Sequence, residues 1–245
     1  GEFGAGQYPV GTSKYEKRAI SERVATVDID KCIQCGKCSM LCPHAVIRIK
    51  ALTADQVEEA RAKGIKVVPM KTPELGPDMY FTINISPADC TGCNVCVKNC
   101  PMGALSMVPA RDVMADNQAA FNAAEKLPDM PREKLNLNIP KHVELLPHYF
   151  EFPGACAGCG ETPYVKLLSH LFGERMVVAN ATGCSSIYGA NLPTTPWTRD
   201  ANGRGPAWSN SLFEDNAEYG LGMRLALNQK RENLKALLFE LEIDN

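Results

Sequence analysis

A chain of 245 residues with 45% hydrophobic composition exceeds the ~100 to 150 residues at which single domains cluster, which predicts two structural units. Its 26 basic and 28 acidic residues nearly cancel, and the formal charge of −2 excludes an electrostatic footprint for nucleic acid or an anionic membrane. No apolar run approaches the ~20 residues of a bilayer span, and the N-terminus lacks the regions of a signal peptide, so a cytoplasmic protein without a membrane partner is expected.

Residues 1–23 read as an extended arm, Gly, Pro and Ser/Thr-rich from Gly6 to Lys14 and charged from Tyr15 to Arg23. Short strands are predicted at Val24 to Ile29 and Ala45 to Ile49, on either side of a cysteine loop. Thr53 to Gly64 is a helical insert expected at the surface, with Thr53 as its cap and Gly64 at its C-terminal end. Tyr80 to Ile85 alternates apolar and polar residues before a second cysteine loop, and Ala104 to Val108 follows it, so the pattern strand, loop, strand occurs twice. Spaced Ala, Met, Phe and Leu predict a helix from Pro109 to Leu127, and five prolines then mark a connection running to Pro153. Beyond Gly154 a helix over Pro163 to Phe172, a strand over Met176 to Ala181 and a turn at Thr182-Gly183-Cys184 begin an α/β arrangement, in which ligands collect at the carboxyl ends of strands. A long helix is predicted from Glu218 to Leu241, and no further strand is evident.

Eleven cysteines, odd in number and tightly grouped, point to metal ligation rather than a secreted disulfide framework. Cys32, Cys35, Cys38 and Cys42 with Pro43 read C-x2-C-x2-C-x3-C-P, and Cys90, Cys93, Cys96 and Cys100 with Pro101 repeat it. Three thiolates at this interval wrap one cubane, while the fourth is carried away by a helical turn and ligates the other cluster. Cys32, Cys35, Cys38 and Cys100 are therefore assigned to one [4Fe-4S] cluster, and Cys90, Cys93, Cys96 and Cys42 to the other. Gly36 and Gly92 let backbone approach the clusters, and Ile33, Met40, Leu41, Val46, Val95 and Leu105 are expected to exclude water from them. Zinc also uses C-x2-C pairs, but it requires neither a third cysteine at the same interval nor Cys-Pro after x3. Over Val24 to Val108 the chain resembles the bacterial-type two-cluster ferredoxins.

Cys156-Ala157-Gly158-Cys159 adds another C-x2-C, and Cys184 a lone thiol at a strand end; alone they fit a thioredoxin-like redox pair or a metal site completed elsewhere. Their context is Cys156-Ala157-Gly158-Cys159-Gly160-Glu161-Thr162-Pro163-Tyr164, then Ala181-Thr182-Gly183-Cys184-Ser185-Ser186-Ile187-Tyr188-Gly189, then the run from Trp208 to Gly220. With Tyr8-Pro9-Val10-Gly11-Thr12-Ser13-Lys14 near the start, these stretches resemble the single-chain pyruvate:ferredoxin (flavodoxin) oxidoreductases along essentially the whole chain. The resemblance implies an α+β chain: a two-[4Fe-4S] ferredoxin-like domain over 24–108, a helical and Pro-rich connection over 109–153, and the N-terminal part of an α/β thiamine-diphosphate-binding domain over 154–245. It implies oxidative decarboxylation of pyruvate with coenzyme A to acetyl-CoA and carbon dioxide, with electrons leaving through three [4Fe-4S] clusters to ferredoxin or flavodoxin. It further implies Cys156, Cys159 and Cys184 as ligands of the third cluster, Glu161 and Cys184 at thiamine diphosphate with its Mg2+, and a homodimeric full-length enzyme.

The sequence departs from that family at two points. No cysteine follows Cys184 to complete the third cluster, and no Gly-Asp-Gly…Asn motif is present to hold magnesium and pyrophosphate; Asp200-Ala201-Asn202-Gly203 is no substitute. An internal fragment of a larger polypeptide, inactive alone in pyruvate turnover, is therefore expected. The competing readings are a stand-alone electron-transfer subunit, with residues 154–245 as a docking domain, and an oxidoreductase for another 2-oxoacid. His44, two positions after Cys42, is placed to tune a cluster, but a packed or solvated imidazole is the favoured reading, and His142, His148 and His170 lack ligand spacing. Trp197 and Trp208 are read as core or interface anchors.

Overall fold

The computed structural model describes residues 9–190, 193–211, 213 and 217–243. Residues 1–8 of the arm, and Leu212 and Glu214 to Asn216 of the run from Trp208 to Gly220, lie outside them.

The two cysteine repeats interlock. The first is β1 (Arg23–Val27), α1 (Lys37–Leu41) and β2 (Ile47–Leu52); the second is β4 (Tyr80–Ile85), α3 (Val95–Lys98) and β5 (Leu105–Pro109). Each repeat's first strand pairs antiparallel with the other's last, β1 with β5 and β2 with β4. This exchange brings the chain after Cys100 back beside the strand that leads to Cys32. The short β3 (Val68–Pro69) extends β4 on its other edge. Val24, Ile47, Ile49, Phe81, Ile83, Ile85 and Leu105 form the core between these sheets, together with buried Cys32, Cys42, Cys90 and Cys96.

The insert α2 (Ala54–Ala62) follows Thr53, whose N–H donates to Gln56 Oε1 at 3.0 Å. It is less superficial than expected. Ala60 is fully buried and packs with Leu52, Ile65, Ala124 and Leu127, because α4 (Ala110–Ala124) runs past it. The stretch read as a connection is likewise packed: α5 (Pro140–Val143) and its flanks deliver Val143, Leu145, Leu146 and Phe152 into the core that holds the cysteines. Prolines here shape the path of the chain without freeing it from the interior.

The later residues form α6 (Thr162–Phe172), β6 (Val177–Asn180), α7 (Cys184–Ala190), β7 (Ala207–Asn210) and α8 (Ala217–Ile243). β7 corrects the expectation that no further strand exists. It pairs in parallel with β6, Val178 opposite Trp208, and its sequence Ala-Trp-Ser-Asn offers no alternation from which a strand is read. Trp197 is 1% exposed and packs on Phe150 with ring centroids 4.6 Å apart; Trp208 is half-buried in the same cluster. The arm is tied to this region, Gly11 N–H donating to the Trp197 carbonyl at 2.7 Å and Ser13 N–H to that of Thr195 at 3.2 Å. Among the described residues no helix is long and apolar enough to cross a membrane.

Candidate iron–sulfur centres

Both cysteine loops share one backbone device. In Cys32-Ile33-Gln34-Cys35-Gly36 the left-handed residues are Gln34 (φ 61°) and Gly36 (φ 73°); in Cys90-Thr91-Gly92-Cys93-Asn94 they are Gly92 (φ 68°) and Asn94 (φ 65°). Left-handed residues within a tight turn fold successive N–H groups into a concave, anion-favouring nest. Gln34 N–H approaches Cys32 Sγ at 3.3 Å, and Ala104 N–H approaches Cys100 Sγ at 3.3 Å. Burial pushes the Cys100 thiol up, yet N–H groups of Met102, Ala104, Leu105 and Gly103 outweigh it and hold it below the ordinary thiol range.

The thiols fall into two sets by mutual influence. Burial raises Cys32, and its charged neighbours include Cys35 and Cys100. Burial also raises Cys90, which feels Cys42 and Cys93, and pushes Cys96 up to about 12, with Cys42, Cys90 and Cys93 adding to the rise. Cys38 is raised by burial and then by Cys32, Cys96 and Cys35, so it stands where the two sets meet. Cys42, Cys90, Cys93 and Cys96 line one small cavity closed by Val46 and Met107. Among the described residues no three His, Cys, Asp or Glu side chains gather tightly enough to hold a single metal ion. The four thiols instead surround a cavity with apolar walls, an arrangement whose donor chemistry fits a multi-iron cluster. Val46 and Leu105 are buried as expected of water-excluding neighbours, whereas Ile33 is 43% exposed because it sits at the loop tip beside exposed Cys35.

The third cysteine segment lies against the second loop. A Cβ on Gly158 would stand 3.7 Å from Cys93 Cβ and 3.9 Å from Val95 Cγ2. His44 joins the same places: its Nε2–H donates to the Ala155 carbonyl at 2.9 Å, and its Nδ1 accepts from Thr91 Oγ1 at 3.3 Å. The imidazole is buried and held below its ordinary pKa by that burial, so it is a packed bridge, as the favoured sequence reading allows. Sequence signals only its nearness to Cys42.

Tyr188 bonds to Glu161 and lies within the electrostatic reach of Cys159 and Cys184. The buried phenol donates to Glu161 Oε1 at 2.7 Å. Its pKa is raised by burial, by that bond, and by the charges of Glu161, Cys159 and Cys184. Cys184 opens α7 just beyond the carboxyl end of β6, and Cys156 and Cys184 are both exposed. Nothing in the sequence marks Tyr188 apart from its place in the run Ala181 to Gly189 around Cys184. Asp200 is engaged locally, its carboxylate accepting from Arg204 Nη2 at 2.9 Å and from the Asn202 N–H at 2.9 Å.

Residues 31–104 match the family model for a 4Fe-4S dicluster domain. The chain is 49% identical over 241 residues to pyruvate-flavodoxin oxidoreductase of Nostoc sp., an alignment covering 95% of this chain and 20% of that protein. It is 47% identical to pyruvate:ferredoxin oxidoreductase of Moorella thermoacetica over 94% of this chain and 20% of the relative. To pyruvate dehydrogenase [NADP(+)] of Cryptosporidium parvum it is 46% identical over 95% of this chain and 12% of the relative. The chain thus carries a 4Fe-4S dicluster domain, and along nearly its whole length it is similar to a stretch making up about a fifth of the pyruvate-flavodoxin and pyruvate:ferredoxin oxidoreductases.

Proposed function

We propose that the chain is the electron-carrying part of an enzyme that oxidatively decarboxylates pyruvate with coenzyme A, giving acetyl-CoA and carbon dioxide, and delivers the electrons to ferredoxin or flavodoxin. The observation that carries this reading is the extent of the similarity, which covers 95% of the chain and takes in the dicluster domain together with the segments around Cys156 and Cys184. In this reading Cys32, Cys35, Cys38 and Cys100 hold one cluster, and Cys42, Cys90, Cys93 and Cys96 the other, within a ferredoxin-like domain over 24–108. The arrangement of thiols round the cavity at Cys42 supports the second set. Cys156, Cys159 and Cys184 contribute to a third cluster. Residues 154–245 begin a domain for thiamine diphosphate, beside which Glu161 is oriented by the Tyr188 hydroxyl. Thiamine diphosphate with its Mg2+ would supply the electron sink for decarboxylation there.

This chain's own contribution is to carry charge away from that place. The closeness of the Gly158 backbone to Cys93, and the His44 bridge from Thr91 to Ala155, support an order in which electrons pass from the third centre to the Cys42 set and then to the Cys32 set. Burial of Cys32, Cys42, Cys90 and Cys96 keeps water from those thiols, while exposed Cys35 leaves the Cys32 set open to the surface on one side. Such thiolate clusters persist in a reducing cytoplasm.

Iron and acid-labile sulfide analysis of the anaerobically reconstituted chain tests this reading. About eight of each per chain are expected, the content of two cubanes, with no pyruvate turnover by the isolated chain. Cys156, Cys159 and Cys184 supply only three ligands, so the third cluster is not expected to be held stably by this chain alone; about twelve would overturn that expectation, and a chain that takes up no cluster would overturn the reading itself.

A further inference from the structure

Lys166 projects from α6 into the interior and is 1% exposed, beside Glu144 at 0%. Its ammonium donates to Glu144 Oε2 at 3.1 Å and to the carbonyl of Ser39. That same Ser39 carbonyl accepts the Cys42 N–H at 3.1 Å, and the Ser39 hydroxyl lies 2.6 Å from Glu144 Oε2. Ser39 stands between Cys38 and Cys42 on α1, the helix on which the chain passes from one thiol set to the other. A cation from a helix of the later segment therefore sits one carbonyl away from the crossing cysteine.

Stability alone does not call for it. A buried ion pair costs desolvation that its attraction only partly offsets, and apolar residues of similar volume often replace such a pair without loss. Satisfaction here is also incomplete: Glu144 Oε1 and His170 Nδ1 lack hydrogen-bond partners and stand 3.7 Å apart. What an apolar side chain cannot supply is a fixed positive charge in a water-poor interior, where charge interactions are strong. A cation there favours the electron-richer state of a nearby cluster and raises its reduction potential.

We propose that Lys166 is a positioning and tuning residue for the two ferredoxin-type centres: it clamps α1 at Ser39 and raises their reduction potentials, with Glu144 as the counterweight. The proposal rests on the cluster assignment above. Its test is an EPR-monitored redox titration of the cluster-loaded full chain, with iron and sulfide measured on every sample. Lys166→Met is expected to shift at least one of the two midpoint potentials negative, Glu144→Gln to shift it positive, and Lys166→Arg to keep the wild-type value. Unchanged midpoints in Lys166→Met and Glu144→Gln, with full iron content, would overturn the proposal. Should Lys166→Met fail to load clusters, Glu144→Gln decides alone: a positive shift supports the role, and no shift overturns it. A wild-type chain without clusters would count against the cluster assignment and not against Lys166.

Discussion

In each cysteine loop one left-handed position is taken by glycine and the other by a residue with a side chain, and the two loops use opposite choices. Gly36 and Asn94 precede α1 and α3, while Gln34 and Gly92 sit between the first two cysteines. Asparagine tolerates this region through local hydrogen bonding, and Gln34 is held there because its side chain donates to the Pro69 carbonyl at 2.9 Å and accepts from the Lys71 N–H at 2.8 Å. Gly92 has no such latitude. A Cβ at that position would strike Ser21 Oγ and stand 2.9 Å from the Arg23 carbonyl. Gly92→Ala is expected to cost about 1 to 3 kcal/mol in backbone strain alone and to reduce cluster loading, read by chemical denaturation and iron content.

α4 matters as an element because it closes a buried cation. Arg48 is 3% exposed, pairs with Glu125 at 3.1 Å and Glu151 at 2.7 Å, and lies 5.9 Å from the Phe121 ring and 5.2 Å from the Phe152 ring. Phe121 is 2% exposed and meets Phe152 edge-on with centroids 6.1 Å apart. Truncating it opens a cavity beside the guanidinium. Phe121→Ala is expected to lower unfolding free energy by about 3 to 5 kcal/mol, measured from urea midpoints. The spacing of Ala, Met, Phe and Leu after Pro109 announces this helix, but nothing local announces Arg48 beneath it, since the guanidinium's partners lie 77 and 103 residues away.

At the scale of the whole molecule, the segment around α5 and α6 carries buried titratable groups that tie stability to pH. His170 is fully buried and bonded through Nε2 to His148 Nδ1 at 3.0 Å. Burial lowers His170 from 6.5 to about 4, with Lys166 also lowering it and Glu144 opposing, and burial holds His148 well below its ordinary value too. A histidine whose pKa falls on folding binds fewer protons folded than unfolded, so stability is full above about 6.5 and is lost as pH falls towards about 4. Glu144, held low by Lys166, His170 and Ser39 against its own burial, loses its contribution in the same direction, below 4.5. A melting temperature that declines from pH 7 to pH 4.5 is expected, with a shallower decline in His170→Gln, measured by circular dichroism.

The sequence by itself determined what depends on neighbours along the chain. Cysteine spacing, the strand before and after each loop, the capped insert at Thr53 and the long helix at the end are all legible, because turn geometry and side-chain periodicity act within a few residues. The tertiary structure decided what depends on distant partners. β7 is a strand only because β6 offers it a ladder. The Pro-rich stretch after α4 is interior because Val143 and Phe152 find apolar walls there. The tie between the third cysteine segment and the second loop hangs on His44 reaching Ala155, 111 residues on. Lys166 reads as an ordinary helical lysine until the fold removes it from water and sets it on Ser39, 127 residues earlier. Burial of a charge is a property of what surrounds it in space, and no local pattern encodes it.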